Sequence, residues 1–240
     1  MNRTFTIARK ELQGYFNSPV GWLFVIVFLV SCSVLFFFLQ SFFAIDRADL
    51  RGFFGIMPLL FSILLPALTM RLWAEEKKQG TYEFLMTMPY TETQLVLGKY
   101  LATMGVVGFS LLLTLPVPLM VSLFGSLDAG TLVAEYFGML LLASASSAIG
   151  QLISSKTNNQ INAFILSVIV LAALNLMGQL GVLFDLPEFF TTLINWLSLN
   201  HHVVGFSRGM LDTRDLMYFV ILSAAALYAT AKSIVFGRWR

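Results

Sequence analysis

Few residues in this sequence could do chemistry, and their spacing excludes most kinds. His201 and His202 are adjacent, so they point apart on a helix, and no acidic or cysteine partner stands at ligand spacing. With Asp212 they make the only arrangement that could act on a lipid at one interface. Cys32 is the sole cysteine, which leaves no internal disulfide and no thiolate cluster. The one Gly-Lys step is Gly98-Lys99, followed by Tyr100, with Thr93 where the first glycine of a phosphate-binding loop belongs. No nucleotide site, catalytic residue or metal ligand is therefore expected in this chain. Two features remain. One is the charged loop 71–99, with Glu75, Glu76, Lys77 and Lys78 ahead of Gly80, Thr81 and Glu83. The other is a pair of amides, Asn175 and Gln179, in an apolar run. Amides are costly to leave in lipid, and a spacing of four puts both on one helix face. That face is expected to look into the protein or a wet path, as a candidate lining for a substrate. The alternative role of the pair is an interhelical hydrogen bond.

The elements that must position these residues are membrane spans. Segments 12–45, 52–70, 100–127, 136–155 and 157–184 contain no Asp, Glu, Lys or Arg, and neither does 216–231. About 20 apolar residues in a helix cross a hydrocarbon core of roughly 30 Å. An all-α polytopic membrane protein follows, one domain over 1–240 with spans at about 19–43, 53–73, 97–124, 135–153, 161–184 and 216–236. At 58% hydrophobic and 12% charged, the chain has no composition left for a soluble enzyme or a nucleic-acid partner. The first span is too long for a cleaved signal and is read as retained. No ionisable pair is expected mid-span, which argues against a proton-coupled carrier.

With the N-terminus in the cytoplasm, the inside segments carry 11 of the 15 Lys and Arg residues, and the outside segments carry Arg47, Arg51, Arg208 and Arg214. Basic residues resist translocation, so both termini are expected inside. The acids Asp46, Asp49, Asp128, Glu135, Asp185, Glu188, Asp212 and Asp215 then fall in outer loops.

Residues 3–17 place Phe5, Ala8, Leu12 and Tyr15 on one stripe opposite Arg9 and Lys10, which predicts an amphipathic elbow helix lying in the interface with membrane lipid. Pro19 ends it and starts the first span. Pro58 and Pro66 are expected to kink or loosen span two, and Pro116 with Pro118 to break span three. The small-residue run 143–148 predicts close helix packing within the subunit or across a dimer. Segment 185–215 opens with a capping pattern at Asp185 and Glu188. Phe189, Leu193, Trp196 and Leu197 then recur at helical spacing, predicting a re-entrant or interfacial helix too short to cross.

In the loop 74–96, Gly80 should break the extension of span two. Thr81 should cap a short helix carrying Glu83 in its first turn and Phe84, Leu85 and Met88 on one apolar face. Pro89 ends that helix, and Thr91 with Gln94 forms a capping box into span three. The plain alternative is a connector with solvated charges.

The order Glu75-Glu76, Gly80-Thr81-x-Glu83-x-Leu85, Pro89 and Gly98-Lys99 resembles the cytoplasmic loop of type-2 ABC transporter permeases. It is most similar to the branch of gliding-motility-associated and copper-enzyme-maturation permeases. Arg9-Lys10-Glu11-Leu12, Phe16-x-Ser18-Pro19 and the stretch from His202 through Phe206, Arg208, Gly209 and Asp212 extend the resemblance along the chain. It implies a permease subunit in the bacterial inner membrane, an exporter working as a dimer with a second copy or a related permease. Separate cytoplasmic ABC ATPase subunits would bind ATP and Mg, and such systems often add an external accessory subunit. The resemblance assigns ATPase coupling to Glu75, Glu76, Gly80, Thr81, Glu83 and Leu85. A scaffold or mechanotransmitting subunit that recruits cytoplasmic and external partners without transport is the competing class.

Overall fold

The computed structural model describes residues 3–39, 50–123, 125, 127–183 and 187–237. Arg47, Asp46, Asp49, Asp185 and the end of the first span lie outside the described residues. Among the described residues, six helices are long and apolar enough to cross a membrane. The elements are α1 (Arg3–Asn17), α2 (Pro19–Val34), α3 (Arg51–Thr69), α4 (Arg71–Gln79), α5 (Thr81–Thr87) and α6 (Glu92–Leu113), followed by α7 (Pro116–Val121), α8 (Ala129–Lys156), α9 (Gln160–Leu183), α10 (Glu188–Leu197), α11 (Leu199–Val203) and α12 (Thr213–Gly237). A π-helical turn, Leu35–Leu39, continues α2, and a 3-10 turn, Phe206–Arg208, lies between α11 and α12.

The hub is α8, the fourth span. It packs on α3, α6, α9 and α12, and its near end meets α4. Its 28 residues reach about 42 Å at 1.5 Å per residue, the full bilayer with headgroups. The Asp128 carboxylate caps it, accepting from the backbone N–H groups of Gly130 and Thr131 and from the Thr131 hydroxyl at 2.6 Å. That cap starts the helix six residues ahead of the expected span. Glu135, expected in an outer loop, consequently sits within the helix and is buried.

Helices in lipid gain little from hydrophobic burial against one another, so packing and interhelical hydrogen bonds must hold them. Tyr100 of α6, Ser144 of α8 and Ser223 of α12 form a hydroxyl chain at 2.5 and 2.9 Å. Ala143, Ala145, Ser146, Ser147 and Ala148 are buried, so the small-residue run packs inside the subunit. Phe28 stacks on Phe24 and Phe61, joining α2 to α3.

The prolines act differently in the two spans. The helix α3 runs unbroken through Pro58 and Pro66. The chain turns only at Met70, whose N–H donates to the Pro66 carbonyl at 2.8 Å. In span three the expected break is present: α6 ends at Leu113 and Pro116 opens α7. The Thr114 hydroxyl lies at the break, donating to the Leu111 carbonyl at 2.7 Å and facing the Tyr136 hydroxyl at 3.0 Å.

The elbow α1 is docked on protein. It lies along α6, with Ile7, Ala8 and Tyr15 buried, while Phe5 of the expected stripe points away. Gly98 makes the approach possible, because a Cβ there would stand 2.6 Å from Cγ2 of Ile7. Burial raises the Tyr15 phenol above its ordinary range, and its hydroxyl donates to the Leu68 carbonyl at 3.0 Å.

Candidate coupling site

The loop after α3 is built as a bracket. At its root, the Ser154 hydroxyl of α8 accepts from the N–H groups of Trp73 and Ala74, both at 3.2 Å, and donates to the Met70 carbonyl at 2.9 Å. One side chain thus satisfies the backbone groups that the turn at Met70 frees. The Lys77 ammonium donates to the Ser155 carbonyl, a second tie to α8.

Lys99 is the centre of the arrangement. It is 2% exposed, its ammonium 3.0 Å from Glu11 of α1 and 2.5 Å from Glu76 of α4, and it lies 5.2 Å from the centre of the Trp73 ring. A buried cation is tolerated only when it is paired and hydrogen-bonded, and here two carboxylates from two other helices serve one ammonium. The elbow, the bracket and span three are joined at that point. Glu75 turns sideways, with Arg71 at 2.6 Å and Gln79 at 3.1 Å.

Gly80 then ends α4 with φ 71°, in the left-handed region where a side chain is strained. It also supplies the start of α5, so Thr81 is the first helical residue and its hydroxyl donates to the Glu76 carbonyl at 3.3 Å. On α5, Tyr82, Leu85 and Met86 pack inward against the core, and Tyr82 donates to the Ile234 carbonyl of α12 at 3.1 Å. Thr81, Glu83, Phe84 and Thr87 face outward, with Phe84 65% exposed. The expected apolar face is therefore split: Leu85 belongs to the packed side and Phe84 to the free side. Beyond α5, Arg3 donates to the Pro89 carbonyl at 3.0 Å. The Thr91 and Gln94 capping box is present in both directions.

The six coupling residues thus divide into two sets. Glu75, Glu76 and Leu85 are partly buried, Glu76 tied across to Lys99, Leu85 packed on the core and Glu75 paired within α4, whereas Gly80, Thr81 and Glu83 are exposed. Lys99 stands at the loop end of span three, so its pairing with Glu11 and Glu76 leaves the expectation of no ionisable pair mid-span untouched, but burial of this cation was not expected. The capping box at Thr91 fixes the helix start and makes Lys99 its eighth residue.

The two amides part company. Asn175 is buried and donates to the Ser62 hydroxyl of α3 at 2.8 Å and to the Leu171 carbonyl at 3.0 Å. Gln179 is exposed on the bundle exterior, so the two do not share an inward face.

At the opposite end, Phe189, Leu193, Trp196 and Leu197 of α10 are all exposed. Between the last two spans, residues 187–212 fold as two helices and a 3-10 turn in place of one. His202 is buried, with Nδ1 2.7 Å from Asp215 and Nε2 3.2 Å from the Trp196 carbonyl, and its ring stacks on Tyr218. Asp212, the expected partner, instead accepts the Arg214 backbone N–H at 2.9 Å. Among the described residues no group of three or more His, Cys, Asp or Glu could hold a metal ion.

Among the described residues, six candidate spans around a central fourth helix, with an exposed short helix braced at one end, make an all-α polytopic membrane protein. The chain belongs to the family of ABC-2 family transporter proteins, whose model matches residues 47–232. It is 25% identical over 171 residues to the probable multidrug ABC transporter permease YbhR of Escherichia coli strain K12, and equally to that of strain O157:H7. The alignments cover 70% of this chain and 46% of each relative, so the chain spans about half the length of the curated relatives it matches. By family it is a type-2 ABC permease.

Proposed function

We propose that this subunit is the membrane half of an ATP-driven exporter in the bacterial inner membrane, with both termini in the cytoplasm. It works as a dimer, with a second copy or a related permease. Cytoplasmic ABC ATPase subunits bind ATP and Mg and act on α5. Glu83 and Phe84 are the contact residues, Gly80 and Thr81 set the turn that presents them, and Glu75, Glu76 and Leu85 carry the displacement into the spans. An exposed aromatic beside a carboxylate suits docking into a cleft, the ring for burial and the charge for register. The observation that carries this reading is that α5 is free on its outer face while Lys99 and Ser154 tie its root, α4, to α1, α6 and α8, and Tyr82 ties α5 to α12. Gln179, an exposed amide on a span, is read as facing the second subunit and a substrate path, with Asn175 as its buried neighbour on α9. YbhR's description as a probable multidrug permease makes amphipathic small molecules the first substrates to try.

The test is co-purification of the tagged protein from detergent, with mass spectrometry of its partners. A stoichiometric P-loop ATPase lost in Glu83→Lys, with the helical spectrum unchanged, is expected. A well-folded protein with no ATPase bound would leave the scaffold reading in its place.

A further inference from the structure

A groove of about 360 Å³ runs between α12 and the Trp196 end of α10. Along α12 it is lined by Arg214, Tyr218, Leu222 and Ala225, with Met217 and Ile221 beside them. From Arg214 to Ala225 is eleven residues, about 16 Å of helix. Half of a 30 Å hydrocarbon core is about 15 Å, so the groove is one leaflet deep. Its walls offer almost no polar surface, because the polar groups beside it are already engaged. His202 faces Asp215 and the Trp196 carbonyl, and the Tyr218 hydroxyl donates to the Leu197 carbonyl at 2.8 Å. Arg214 is the exception. Among the described residues its guanidinium makes no ion pair, and it stands at the interfacial end of the groove.

We propose that this groove holds one phospholipid with an anionic headgroup, the phosphate at Arg214 and one acyl chain lying along Tyr218, Leu222 and Ala225. The charge is placed for a phosphate, the depth fits one leaflet, and an apolar trough with a single cation does not suit a polar or large solute. Arginine at the interface binds phosphate through paired N–H donors. The lipid would tie the outer segment to span six, so it bears on stability apart from any ATPase contact.

Native mass spectrometry of the full chain, released from nanodiscs of equal phosphatidylglycerol and phosphatidylcholine, tests this. The wild type is expected to retain phosphatidylglycerol at least fivefold over phosphatidylcholine. Arg214→Gln should abolish that preference, Arg214→Lys should keep part of it, and Ala225→Trp should reduce retention of both lipids. Arg214 is exposed, so its variants should keep the wild-type elution volume. Equal retention of both lipids by the wild type would overturn the proposal. So would a preference unchanged in Arg214→Gln, or a photo-crosslinker at Leu222 that captures a second protein chain in place of lipid. Retention does not depend on the ATPase, so its failure leaves the transporter reading intact, and loss of ATPase binding leaves this one intact.

Discussion

Replacing Lys99 with methionine tests the brace at its centre. The substitution keeps an unbranched side chain, one atom shorter, and removes its charge. Glu76 and Glu11 then face each other with no cation between them, their side chains 16% and 30% exposed. Breaking a fully buried ion pair by removing one partner costs about 3–5 kcal/mol. Glu11 keeps some contact with water and Glu76 can take up a proton, so the lower end, about 3 kcal/mol, is expected. For a domain of this size 1 kcal/mol moves the melting point by about 2–4 °C, so a fall of about 6–12 °C is expected. The assay is thermal unfolding in one detergent, read by tryptophan fluorescence, because Trp73 is buried beside Lys99. The double variant Lys99→Met with Glu76→Gln removes the orphaned charge and should recover more than half of the loss. A Lys99→Met melt within 2 °C of wild type, or a double variant no better than the single one, would refute the claim that the buried cation holds the two acids together.

Three further outcomes follow from the packing. Gly98→Leu drives a side chain into Ile7 and should detach the elbow, read as faster proteolysis after Arg9 and Lys10 and a loss of about 1–3 kcal/mol. Ser154→Ala leaves the N–H groups of Trp73 and Ala74 and the Met70 carbonyl without their partner. A cost of about 1–3 kcal/mol is expected, with increased hydrogen exchange confined to 70–80. Asp128 is held below the usual carboxylate range, chiefly by the Thr131 hydroxyl and then by the backbone N–H groups of Gly130 and Thr131. The unfolded chain therefore binds more protons at this site, and its contribution is present at neutral pH and lost as pH falls through the folded value. Amide protection at Gly130 and Thr131, corrected for the intrinsic exchange rate at each pH, should fall on acidification in the wild type, and should already be low at pH 7 in Asp128→Ala.

What the sequence made legible was whatever depends on one helix at a time. Uncharged runs marked the six spans, Pro116 marked the break in span three, and Thr91 with Gln94 marked the start of α6. The direction a helix turns toward its neighbours was less legible, because an apolar side chain suits lipid and protein alike. Phe5 and Ile7 are equally apolar, and only the approach permitted by Gly98 selects Ile7 for burial. Gln179 and Asn175 were assigned one face from their spacing, yet Ser62 claims Asn175 alone. Lys99 was the largest miss in the site. Its charge suggested water, whereas its acids come from residues 88 and 23 positions away, a separation that periodicity cannot bridge. Glu75 and Glu76, adjacent in sequence, also separate, since Glu75 pairs along its own helix with Arg71 and Glu76 reaches across to another.

The central claim is that α5 receives the ATPase on its outer face. A photo-crosslinker placed singly at Phe84, Thr87, Leu85 or Ser122, in cells that make the complete system, tests it most directly. Phe84 and Thr87 are exposed on the outer face, Leu85 packs inward, and Ser122 lies at the opposite end of span three. The account predicts crosslinks to the ATPase subunit from Phe84 and Thr87, and none from Leu85 or Ser122. Capture of the ATPase from Ser122, or equally from all four positions, would contradict it.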